Sequence, residues 1–156
     1  MSLSLRPLTS YRADLEAPDV VGPGPFGERQ VFVVKGGKVT GERLSGALRP
    51  GGGDWLLVGA DGYARLDVRG TIQTDDGALI YVSYLGVLEL SERAMQALTQ
   101  GPATEYGEAR FLTQPRFETG DPRYAWLNTA VCVAQGRLHP GPAVEYQVYE
   151  VDPGTD

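Results

Sequence analysis

The sequence predicts a mainly β protein: a single antiparallel β-barrel over residues 1–156, with one short helix. Three observations carry that expectation. The chain holds 21 glycines and 11 prolines, 42% of its residues are hydrophobic, and its apolar residues recur mostly at every second position. Breakers at that density leave little room for long helices, and alternation is the signature of strands buried on one side. The turns fall every 8–12 residues, the spacing of sandwiches and barrels. A closed barrel is preferred because long strands joined by tight turns otherwise leave an unpaired edge.

Taken in order, Leu3 to Leu15 alternates loosely and forms the opening strand. Val21 to Gly27 reads as loop, since Pro23 and Pro25 cannot donate to a ladder. Arg29 to Val34 is a strand turned by Gly36-Gly37, Val39 to Leu48 continues it, and Pro50 to Gly53 is loop. Asp54 to Val58, Tyr63 to Thr74 and Ala78 to Leu90 are strands joined at Asp61-Gly62 and Asp76-Gly77, both strong hairpin signals. One helix follows: Ser91 caps it, Glu92 sits in its first turn, Ala94, Met95 and Leu98 make its apolar stripe, and Gly101-Pro102 stops it. Tyr106 to Thr113, Tyr124 to Val133 and Val144 to Val151 complete the strands, with Pro115 to Pro122 as loop.

Composition limits the function. With a net charge of −6 and scattered basic residues, there is no basic stripe to meet a phosphate backbone, so nucleic acid is not an expected partner. The single cysteine, Cys132, permits no internal disulfide and no cysteine-ligated structural zinc, and no metal or other cofactor is expected. His139, the only histidine, stands before Pro140 in a loop and argues against a Ser-His-Asp triad. No apolar run reaches the roughly 18 residues of a spanning helix, and Met1 to Tyr11 lacks a signal-peptide core. A cytoplasmic protein without a membrane role is the default expectation.

General acid–base chemistry by Asp, Glu, Tyr and Arg is what remains if the chain is an enzyme. In Tyr63 to Thr74, Leu66, Val68 and Ile72 share one face, while Arg65, Asp67, Arg69 and Thr71 share the other. An ordinary surface strand gives the same pattern. The functional alternative puts the polar face in a barrel lumen and covers the apolar face with the helix or a partner subunit, as in a homodimer or higher homo-oligomer. Arg69 is then a fork for an oxyanion, and Asp67 or Asp54 a proton carrier. The glycine run before Asp54-Trp55 places that pair at a rim. Tyr124, Trp126 and Asn128, on one face of their expected strand, suit a pocket wall. Tyr81 or Tyr84 reaches the lumen, one parity excluding the other. The expected catalytic set is Asp54, Asp67, Arg69, Tyr81 and Tyr124; the expected ligand-binding set is Trp55, Trp126 and Asn128.

Several stretches together carry a family resemblance: Gly22 to Arg29, Gly36 to Gly41, Pro50 to Trp55, Thr74 to Val82, Phe117 to Thr119 and Tyr124 to Asn128. In this order they resemble the bacterial and fungal family called domain of unknown function 3237. The resemblance implies an antiparallel barrel similar in type to calycins and allene oxide cyclases. It implies no established general activity and no catalytic residues to carry over. The expected function is therefore a barrel binding a small organic molecule, acting on it as an isomerase, cyclase or lyase. The alternatives are a non-catalytic carrier or sensor with the same lumen, and a structural oligomerisation module.

Overall fold

The computed structural model describes residues 2–154. Its strands are β1 (Ser4–Leu15), β2 (Asp19–Gly24), β3 (Gly27–Thr40), β4 (Gly46–Leu48), β5 (Gly53–Val58), β6 (Tyr63–Thr74) and β7 (Leu79–Glu89). Helix α1 (Glu92–Thr99) follows, then β8 (Phe111–Thr113), β9 (Arg116–Glu118), a 3-10 helix (Pro122–Thr129), β10 (Cys132–His139) and β11 (Ala143–Asp152).

All pairings are antiparallel and they close into a ring. From β1 the ring runs through β3, β5, β6, β7, β8, β10 and β11 back to β1. Two of its positions are shared by a pair of short strands. β4 and β5 both lie between β3 and β6, β4 against Gly37 to Val39 and β5 against Glu28 to Val33. β8 and β9 both lie against β7, at Gly86 to Leu88 and at Tyr81 to Ser83. β2 continues the line of β1 and pairs only with the start of β3.

Gly62 and Gly77, with φ of 81° and 92°, supply the left-handed backbone of the two expected hairpins. Ser91 Oγ accepts the Ala94 N–H at 3.2 Å and caps α1 as expected.

Four local expectations are corrected. Gly36-Gly37 makes no turn, because β3 runs through it. A Cβ on Gly37 would stand 1.7 Å from the Arg12 carbonyl oxygen, so glycine serves the close approach of β1 there. The prolines of the segment expected as loop sit in or beside β2, an edge strand, where a missing N–H goes unfelt. Of Tyr106 to Thr113 only β8 is strand, while β9 forms inside the expected loop. Finally, Tyr124 to Thr129 is helical, because Asp121 caps the Arg123 N–H and Pro122 occupies the first turn.

The two ends of the barrel differ. At one end the 3-10 helix is tied to the β6–β7 turn, with Tyr124 Oη donating to Asp76 at 2.9 Å and Arg123 donating to the Asp76 carbonyl at 3.1 Å. Beneath it Val39, Leu44, Ile72, Ile80, Leu127 and Val148, all buried and none bordering the lumen cavity, form an apolar plug. At the other end lie α1 and the start of β3, and there the inward side chains Phe32, Leu56, Val58, Leu90, Leu98 and Val144 are only partly buried.

Candidate functional site

Above the plug the lumen is hollow, with a cavity of about 140 Å³. That is about the space a benzene-sized ring occupies in an apolar interior. Its walls are almost wholly aliphatic and aromatic, and Met95 and Leu98 of α1 and Gln30 and Phe32 of β3 stand around its outer end. The inner end is polar.

The cross-strand register builds that polar floor. Asp54 on β5 pairs with Val68 on β6, and Val68 pairs with Tyr84 on β7, so the three form one inward row. Tyr11 on β1 pairs directly with Tyr146 on β11. The rings meet across the lumen, with centroids 5.0 Å apart for Tyr11 and Tyr146, 5.2 Å for Tyr84 and Tyr146, and 6.3 Å for Tyr11 and Tyr84. Phe111 joins edge-on to Tyr146 at 5.3 Å. It fits because Gly136 lies beneath it; a Cβ there would come within 2.6 Å of the Phe111 ring.

Asp54 is 8% exposed. Its Oδ1 accepts the Asp67 N–H at 3.0 Å, where β5 and β6 keep one register but have no ladder partners at Trp55 and Leu56. Burial pushes the carboxyl up to about 6, against the pull of that N–H bond. Burial likewise pushes the Tyr11, Tyr84 and Tyr146 hydroxyls well above the ordinary range, and the Asp54 charge adds to the effect at Tyr84 and Tyr146. The Tyr11 hydroxyl is buried with no hydrogen-bond partner among the described residues. A carboxyl group that titrates near neutrality in a dry site can both give and take a proton.

Of the residues expected to do chemistry, only Asp54 has its side chain at this floor. The two faces of β6 lie opposite to the functional expectation: Ala64, Leu66, Val68 and Ile72 are buried and line the interior, while Arg65 and Arg69 are exposed. A narrow barrel interior is filled by apolar side chains, and unpaired charges are costly there. Arg69 borders the cavity, but its parity directs its guanidinium outward. Trp55 adjoins Asp54 in sequence and so points to the other face, where it is exposed. Tyr81 is also outside and Tyr84 inside. Tyr124 is held by Asp76 at the plugged end, and the Trp126 ring lies under the Arg43 guanidinium at 4.3 Å. Asn128 is occupied by Thr119, accepting its N–H at 2.8 Å and donating to its carbonyl at 3.0 Å.

Asp67, Arg69, Tyr81 and Asn128 do meet, but on the outside, along an open groove of about 820 Å³. Water reaches that groove freely, which screens its charges. Tyr11 and Tyr146 escaped the sequence reading, although each sits at the apolar parity of its strand, Tyr11 with Ala13 and Tyr146 with Val144 and Val148. Among the described residues no three His, Cys, Asp or Glu side chains gather as metal ligands. No helix there is long and apolar enough to cross a membrane.

The fold and site together define a class: a closed antiparallel barrel, plugged at one end, with a blind apolar pocket ending in a carboxyl and tyrosine floor. Within that class the chain belongs to the family described as protein of unknown function DUF3237, whose profile matches residues 3–151. A UPF0311 protein of Rhodopseudomonas palustris is 32% identical over 123 residues, 78% of this chain and 80% of that one. A crystal structure of a conserved Rhodopseudomonas palustris protein of unknown function superposes with a TM-score of 0.88 at 28% identity, covering 97% of this chain and 99% of that one. A β-barrel-like protein of Acinetobacter baumannii superposes at 0.81 with 32% identity, covering 97% and 98%. A protein of Penicillium herquei described as an enzyme shares the fold at a TM-score of 0.70 and 20% identity, covering 97% and 96%.

Proposed function

We propose that the cavity binds a small organic molecule and moves a proton on it, as an isomerase, cyclase or lyase does, with Asp54 as the acid–base group. The observation that carries this reading is one carboxyl group, buried at the end of an apolar pocket and pushed up to about 6. A group titrating so close to working pH is present in both protonation states and exchanges protons with little driving force against it. Tyr84 and Tyr146, facing Asp54, stay protonated and are placed to donate to an oxygen on which charge develops. The cavity walls exclude water, which strengthens those interactions. The Penicillium herquei protein, which shares the fold, is described as an enzyme.

A carrier or sensor is the second reading, favoured by the nearly unbroken apolar wall. Deuterium exchange separates the two. Cyclohexanone and cyclohex-3-en-1-one are incubated with the protein in deuterated buffer, and loss of their α-proton signals is followed by NMR. Wild-type protein is expected to accelerate exchange at least tenfold, with a pH dependence centred near 6, and Asp54→Asn to abolish the acceleration. Equal rates for wild type, Asp54→Asn and buffer leave the carrier reading.

A further inference from the structure

The cavity floor also constrains what can enter. We infer that the ligand is a neutral, compact, ring-sized molecule, apolar over most of its surface, that leads into the barrel with a single carbonyl or hydroxyl oxygen. This rests on the proposal that the cavity is the working site, and it follows from three features of the lining.

The first is size. A cavity of about 140 Å³ holds one small ring and little more. The second is the distribution of charge. Among the described residues Asp54 and Arg69 are the only charged ones bordering the cavity, and the Arg69 side chain lies on the outer face. An anionic ligand would meet the Asp54 carboxylate with no cation to offset it. An ammonium group would leave water for a site whose aliphatic walls return only one charge, and desolvation of that kind outweighs a single partner unless further hydrogen bonds complete it.

The third feature is the polar floor itself. Asp54 lines the cavity with Tyr84 and Tyr146, and among the described residues only its Oδ1 is engaged, accepting the Asp67 N–H. A buried carboxyl oxygen left without a partner is destabilising, and a ligand oxygen that meets the protonated group removes the deficit. A hydrocarbon of the same shape does not. One oxygen at the leading end and bare carbon behind therefore matches the polar floor and the apolar wall at once.

The test is an equilibrium titration of the full-length chain, read by methyl and amide NMR, with four probes of one ring size. These are cyclohexanone, methylcyclohexane, cyclohexanecarboxylate and cyclohexylamine. Cyclohexanone is expected to bind with shifts at Leu66, Val68 and Leu98, and methylcyclohexane about threefold to tenfold more weakly, the worth of one hydrogen bond. The carboxylate and the ammonium are expected not to bind at ten times the ketone concentration. Asp54→Leu is expected to bring cyclohexanone down to the affinity of methylcyclohexane. A carboxylate or ammonium that binds as well as the ketone overturns the inference. So does a ketone with no advantage over the hydrocarbon, and so does the absence of any binding. The wild-type ranking decides the matter even if Asp54→Leu fails to fold.

Binding is measured here without turnover, so the two proposals fail separately. If the ranking holds but exchange is absent, the ligand class stands and the acid–base role falls. If exchange persists but the ranking is reversed, the opposite follows.

Discussion

The two halves of the barrel interior are built from the same kinds of side chain and do opposite things. In the plugged half, Ile72 and Ile80 face each other across β6 and β7, and Leu127 of the 3-10 helix closes over them, all three inaccessible to water. In the hollow half, Leu66, Phe32, Leu56 and Val58 have the same chemistry but surround a cavity. Composition does not explain the difference. The caps do. The 3-10 helix sends a large apolar residue into the lumen, whereas α1 buries only Ala94 and Ala97 and leaves Met95 and Leu98 at the rim. Small buried residues on a capping helix keep the space beneath it open, and large ones fill it.

The sharpest way to break this comparison is a truncation in the plug. Ile80→Ala removes a fully buried side chain from close packing and is expected to cost about 2–5 kcal/mol in urea denaturation. A loss below 1 kcal/mol would show that the plugged half is not packed as described.

Asp54, at the boundary, gives the next largest effect, with a defined sign. Its carboxyl is held up to about 6 from an ordinary value of 3.8, so between those values the folded chain holds a proton that the unfolded chain has released. Stability therefore falls as pH rises from about 4 to about 6, by up to roughly 3 kcal/mol. Asp54→Asn, whose amide oxygen still accepts the Asp67 N–H, is expected to be more stable than wild type at pH 8 by up to that amount. The advantage should vanish at pH 4. Denaturant midpoints at the two pH values measure it, and a pH-independent difference contradicts the assignment.

The smallest effect belongs to the outer face. Arg69→Ala is expected to change stability by less than about 0.5 kcal/mol and to leave cyclohexanone binding unaltered. A tenfold loss of ketone binding in that variant would return Arg69 to the lumen.

Much of the architecture was legible in the sequence, because strand alternation and Asp-Gly turns are local properties. Tyr63 to Thr74 emerged as a strand of matching bounds, and Ser91 capped the helix it announces. The expected strand at Tyr124 is instructive for the opposite reason. Its alternation is real, yet Asp121-Pro122 is also a helix-start signal, and that local cap prevailed. The site was harder, because parity separates the two faces of a strand without saying which one carries the chemistry. Following the polar residues of β6 led to Arg69 and the outside. Following the odd polar group on apolar faces leads to Tyr11, Tyr84 and Tyr146. Asp54-Trp55 shows the limit of adjacency: neighbours on a strand cannot share a wall. The meeting of the tyrosines depends on β1, β7 and β11 closing on one another, which no local pattern encodes.

The two shared ring positions have a mechanical consequence. The break between β4 and β5 falls at Arg49 to Gly52, just before Asp54, and the break between β9 and β8 falls at Gln114-Pro115, opposite Tyr84 and Leu85. A hydrogen-bonded hoop resists stretching because any widening must break ladder bonds. Here both seams lie at the height of the carboxyl and tyrosine floor, and each is spanned by individual backbone bonds from loop residues: the Arg49 N–H to the Thr71 carbonyl at 2.8 Å, the Gly51 N–H to the Val34 carbonyl at 3.0 Å and the Gln114 N–H to the Leu85 carbonyl at 3.0 Å. The bore at the floor is therefore held by those individual bonds and by the loop residues that make them, where elsewhere it is held by continuous ladders.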